Sequence, residues 1–77
     1  MDRIIFDYSK LRGKIREVYG SEGKFANAIG ITDTTLSTIL NNKSEFKQQQ
    51  IKVACNLLGI QPEEIDDYFF AIEVKEN

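Results

Sequence analysis

Apolar residues recur at three- and four-residue intervals from Tyr8 to Tyr68, and then at every second position from Phe70 to Val74. Tyr8, Leu11, Ile15, Val18 and Tyr19 mark one helical face among Lys10, Arg12, Lys14, Arg16 and Glu17, which predicts a helix over 9–19. Ser9 suits its N-cap, and Gly20 ends it. Gly13 inside it lowers helix propensity. Phe25, Ala26 and Ile29 predict a second helix over 22–29, capped by Ser21 and closed by Gly30. Ile31 fills the corner and Thr32 caps a third helix over 33–40, whose inward stripe is Leu36, Ile39 and Leu40. Asp33 stands in its first turn, where a carboxylate favours the helix dipole. A loop over 43–47 leads to a fourth helix over 47–58, with Ile51, Ala54, Cys55 and Leu58 inward and Gly59 at its end. Pro62 and the acids Glu63 and Glu64 predict a short fifth helix over 63–68, burying Ile65 and Tyr68. Then the period changes. Phe70, Ile72 and Val74 alternate with Ala71, Glu73 and Lys75, a strand signal over 69–75. Ile4-Ile5-Phe6 is too short to assign by period and suits a strand or a packed arm. The expectation is one mainly α domain over 1–77, with five helices and short terminal β-strands.

Composition narrows the chemistry. Hydrophobic residues make up 42% and charged residues 29%, a globular balance. There is no run of 18 apolar residues and no signal-peptide pattern, so no membrane partner is expected. Cys55 is the only cysteine, which rules out an intrachain disulfide and points to a cytoplasmic protein. In an apolar stripe it reads as a small buried hydrophobe. Histidine is absent, so zinc-finger sites and Ser/His or Cys/His catalytic pairs cannot be built. Glu63-Glu64 and Asp66-Asp67 are explained as helix-start acids. No enzyme activity, cofactor or metal is expected. Net charge is −2, but it is unevenly spread: residues 1–52 carry nine Lys/Arg and six Asp/Glu, and residues 53–77 carry one Lys and six Asp/Glu. The net charges are +3 and −5, so a positive face can coexist with an acidic end.

Residues 21–43, SEGKFANAIGITDTTLSTILNNK, concentrate the functional signal. A small residue, Ala26, stands where two helices would cross, and Gly30 follows four residues later at the turn. Leu36 and Ile39 anchor the next helix, leaving Asp33, Thr34, Ser37 and Thr38 outward. Short polar chains let a helix approach base edges closely. A helix that merely faces water is usually rich in Glu, Lys, Ala, Gln and Arg, not in β-branched Thr. The pattern suits a helix-turn-helix that places its second helix in the major groove.

The run Phe25-Ala26-x-x-Ile29-Gly30-Ile31-Thr32-x-x-x-Leu36-Ser37-x-x-Leu40-Asn41-x-Lys43 resembles the helix-turn-helix of phage repressor and Cro-type regulators. The wider frame, from Phe6 to Gly13 through Asn41–Phe46 to Tyr68-Phe69-Phe70, resembles small uncharacterised prophage regulators of low-GC Gram-positive bacteria. The resemblance implies a lambda-repressor-like fold in a bacterial, nucleoid-associated protein. It implies base reading by Thr32, Asp33, Thr34, Ser37 and Thr38. Ser21 and Glu22 begin the helix whose first turn meets phosphate in such regulators, and Asn42 and Lys43 follow the reading helix toward the backbone. Lys24 and Lys47 join them as phosphate candidates on charge, and Gln48–Gln50 at the fourth helix start are weighed equally as phosphate donors or plain surface. The chain departs from the pattern in two ways. Glu22 is an acid where a neutral donor is common. The reading helix has no Arg, Lys or Gln, so bidentate contacts to guanine or adenine are lost; Thr methyls on thymine and Asp33 on cytosine N4 are left.

Two functions therefore compete. One is a sequence-specific regulator of a double-stranded DNA operator. The alternative is a protein-interaction module that keeps the fold and binds another regulator, as an antirepressor would; the missing Arg and Gln motivate it. The terminal strand needs a mate. Ile4–Phe6 of the same chain is one choice. The same strand of a second subunit is the other, making a homodimer through Phe69, Phe70, Ile72 and Val74, which a two-fold operator would favour.

Overall fold

The computed structural model describes residues 4–73. Its helices are α1 (Ser9–Tyr19), α2 (Glu22–Ile29), α3 (Asp33–Leu40), α4 (Gln48–Leu58) and α5 (Ile65–Phe69), with a 3-10 turn at Pro62–Glu64 leading into α5. The first three occupy the predicted residues. The fourth begins one residue later, because Lys47 is extended and serves as its N-cap. The segment expected as one helix over 63–68 is a tight turn followed by a helical turn that continues through Phe69.

Local capping explains most boundaries. Ser21 Oγ accepts from the Lys24 N–H at the start of α2, and Thr32 Oγ1 accepts from the Thr35 N–H at the start of α3. Gln50 Oε1 reaches back to the Lys47 N–H, and Glu64 Oε1 to the Gln61 N–H. Gly30, at φ 84°, turns the chain between α2 and α3, and the Ile31 N–H returns to the Ala26 C=O at 2.9 Å. One cap differs from expectation. Ser9 is the first residue of α1, not its N-cap; the Asp7 carboxylate accepts from both the Ser9 N–H and the Ser9 hydroxyl.

Leu11, Ile15, Phe25, Ala26, Leu36, Ala54 and Phe69 lie at the centre of the core, where α1 packs against α2, α4 and α5. Burying the Leu, Ile and Phe side chains among them stabilises by roughly 1.5–3 kcal/mol each. Val18 does not join them and is exposed, since Tyr19 closes the last turn of α1 against Phe25 at a ring separation of 5.5 Å. Phe46, from the loop before α4, stands edge-on to both Tyr8 and Phe69.

The chain ends meet each other. Phe6 and Ile72 form an isolated antiparallel bridge, with Asp7 N–H donating to Ala71 C=O at 2.7 Å and Glu73 N–H to Ile5 C=O at 2.8 Å. This is the intramolecular alternative for the terminal strand. The expected strand over 69–75 shrinks accordingly: Phe69 ends α5 and only Ile72 takes part in the bridge. Val74 lies outside the described residues.

Candidate functional site

The first turns of α2 and α3 come side by side. A Cβ at position 23 would lie 2.8 Å from Asp33 Oδ1, so Gly23 leaves room for the Asp33 carboxylate to rest against α2. Asp33 therefore lies beside the neighbouring helix instead of standing alone at the tip of α3. The other expected readers are also partly engaged. Thr32 caps α3 and donates to Thr35 Oγ1 at 2.9 Å. Thr38 donates to the Thr34 C=O at 2.8 Å, the back-bond typical of Thr inside a helix. Ser37 Oγ accepts from Asn41 Nδ2 at 3.3 Å. Thr34 makes no side-chain hydrogen bond among the described residues. The exposed residues of α3 thus keep three hydroxyl donors, those of Thr34, Thr35 and Ser37, and no cationic or amide side chain.

The residues expected to meet phosphate are distributed differently. Glu22 pairs with Arg12 Nη1 at 2.8 Å, and Arg12 Nη2 reaches Asn41 Oδ1 at 3.4 Å. One guanidinium thereby ties α1 to the start of α2 and the end of α3. Ser21 caps its own helix. Asn42 turns away from any outside partner: its Oδ1 accepts from the Phe6 N–H at 2.8 Å and its Nδ2 donates to the Phe6 C=O at 2.9 Å. Lys24 and Lys43 are exposed and form no ion pair among the described residues. Lys47 lines a separate cleft with Ile29, Gly30 and Ile31. Of the phosphate set, only Lys24, Lys43 and Lys47 present an unengaged charge.

A second surface forms where the chain ends meet. Ile4, Phe70 and Ile72 are 63%, 45% and 59% exposed. The Phe6 ring lies 5.9 Å from Phe70 and 6.0 Å from Tyr8. Beside Phe70 a cavity of about 110 Å³ is walled mainly by aromatic rings, Phe6, Tyr8, Phe46 and Phe69, with Glu45 and Ile51. Phe69, expected at a dimer contact, is 1% exposed inside the chain's own core. A third feature is a cleft of about 520 Å³ between α4 and the 59–65 segment, with Cys55 in its wall. Burial pushes the Cys55 thiol above its ordinary range, which disfavours the reactive thiolate. Among the described residues no three Cys, Asp or Glu gather as metal ligands, and no helix is long and apolar enough to cross a membrane.

Sequence reasoning missed Arg12, Gly23 and Asn42 in these roles. All three act across 10 to 36 residues of chain. An Asn pair at a helix end is a local helix-stop signal and does not point to a partner 36 residues away.

Residues 4–72 match a family described as a protein of unknown function, DUF739. The chain is similar to the modulator of repression (MOR) of the temperate bacteriophage TP901-1 from Lactococcus lactis, known from its solution structure. The two are 42% identical, the match covers 84% of this chain and 88% of that one, and the TM-score is 0.75. No curated protein matches.

Proposed function

The chain belongs to the DUF739 family, and from that membership and its likeness to a phage modulator of repression we propose that it regulates a phage repressor by direct protein contact. The observation that carries the choice of protein over DNA is the outward face of α3. It offers three hydroxyl donors and a carboxylate, whereas the strongest base contacts in the major groove, the bidentate ones, draw on Arg, Lys, Asn or Gln. The side chains behind it support the same choice: Glu22 is negative and Asn42 is engaged within the fold. The Ile4–Phe70–Ile72 patch supplies exposed apolar surface of the kind that anchors a protein partner. No enzymatic step enters this role.

A second reading keeps the fold as a lambda-repressor-like helix-turn-helix that binds an operator itself. The three-residue turn at 30–32, the exposed Thr34, and Lys24 and Lys43, which form no ion pair among the described residues, favour it. Co-expression with the cognate phage repressor, followed by light scattering on the purified product, tests the first reading. A stable complex of the two chains is expected. Selection from a random duplex pool tests the second. Recovery of a consensus duplex by the chain alone, bound with steep salt dependence, would overturn the protein-contact reading.

A further inference from the structure

The bonds between residues 5–7 and 71–73 flank the Phe6–Ile72 pair, so the N–H and C=O of Phe6 point to the opposite edge. They meet the side chain of Asn42 there, accepted at 2.8 Å and donated to at 2.9 Å. A primary amide carries a carbonyl acceptor and N–H donors in one plane, as a peptide group does. Asn42 therefore stands in for a third strand. Its backbone, at φ 63°, is left-handed, a conformation that Asn tolerates better than most residues. It sits just past α3, 36 residues from Phe6.

We infer that Asn42 is a latch. Its amide fastens residues 4–7, and through them residues 71–73, beside the aromatic cavity. Asp7 and Glu73 are each bonded across the bridge and nowhere to the helical body by their N–H groups. The two ends are therefore one strap that opens and closes as a unit, and the Ile4–Phe70–Ile72 patch is assembled only while Asn42 holds Phe6. The latch concerns the fold itself and stands apart from the identity of the partner.

Hydrogen exchange read by NMR on the full chain tests it, using Asn42→Gly and Asn42→Asp. Glycine keeps the left-handed backbone without strain and removes the amide. Aspartate keeps the backbone and an acceptor but cannot donate when ionised. In Asn42→Gly the Asp7 and Glu73 amides are expected to lose protection together, by roughly tenfold to a hundredfold relative to Ile15 and Ala26, the scale of two lost hydrogen bonds. Asn42→Asp is expected to release the same pair and gives the answer should the glycine variant fail to fold. Unchanged exchange at both amides would show that Asn42 fastens nothing. Faster exchange at Asp7 with Glu73 unmoved would show that the ends are not one strap.

Discussion

Tyr8 is the N-cap residue of α1 and lends it no side-chain bond; the Asp7 carboxylate, one residue earlier, accepts from the N–H and the hydroxyl of Ser9 instead. Asp7 and Ser9 are both helix-start residues, and an Asp bonding the backbone two residues on is a local turn that competes with a Ser cap. The two hydrogen bonds from Ser9 hold the Asp7 carboxyl below the usual carboxylate range. A lowered folded pKa means a contribution that is present above about pH 3.9, the unfolded value, and lost as pH falls through the folded one. Asp7→Asn keeps an oxygen acceptor and removes the titration. Urea midpoints measured from neutral pH down to about pH 2 are expected to fall less steeply in the variant. Gly13 offers a simpler case. It is exposed within α1, and a Cβ there would meet nothing within 4 Å. Gly13→Ala is expected to stabilise the fold by about 0.5–1 kcal/mol in urea unfolding. A loss of stability would mean that the position serves something other than helix formation.

At the scale of elements, α1, α2 and α3 were legible in full and α4 to within one residue, because stripe, cap and turn residues all lie within a few positions of one another. The terminal segment was not. Its alternation was real at Phe70 and Ile72, yet Phe69 belonged to the preceding helix, where α5 needed a large side chain against Phe46. Charge partners were illegible for the same reason as Asn42: an ion pair between α1 and α2 leaves no spacing rule to read. Arg12 shows what such a pair does. Its two nitrogens serve Glu22 and Asn41, fixing α1 against the start of α2 and the end of α3. A double-mutant cycle with Arg12→Ala and Glu22→Gln is expected to give a coupling of about 0.5–1 kcal/mol, reduced by partial exposure. Arg12→Lys should fail to restore it, since one ammonium cannot reproduce the fork. A coupling near zero would make the contact a passive surface pair. Among the expected readers, the sequence placed Thr34, Ser37 and Thr38 on the outward face, but it could not reveal that two of their hydroxyls are bonded along the helix.

At the scale of the whole molecule the competing surfaces can be separated by what each requires. Groove binding requires cations, and of the nine in residues 1–52 Arg12 is paired with Glu22, Lys10 with Asp67 and Lys14 with Glu17. A self-contained dimer requires roughly 1,200 Å² or more of total buried surface. The apolar patch consists of a few side chains, and Ile72 already pairs with Phe6 within the chain. Sedimentation at high micromolar concentration is therefore expected to find a monomer. A protein partner needs only an apolar anchor with a polar surround, which the patch supplies. Paired variants decide between the surfaces. Phe70→Ser with Ile72→Ser removes the anchor; Ile72 is mostly exposed and Phe70 is half-buried against Phe6, so stability in urea unfolding should fall modestly, by about 1–2 kcal/mol, with the core helices still formed. Thr34→Ala with Lys43→Ala removes the α3 hydroxyl that makes no side-chain hydrogen bond among the described residues, and the cation that follows the helix, at small structural cost. If repressor contact runs through the patch, the first pair weakens the complex by tenfold or more, about 1.4 kcal/mol, and the second by less than threefold. If α3 is the contact, the order reverses. A DNA reader would show itself in a third way: the second pair would abolish duplex preference and lower the salt slope by about one unit, while the first pair left both intact.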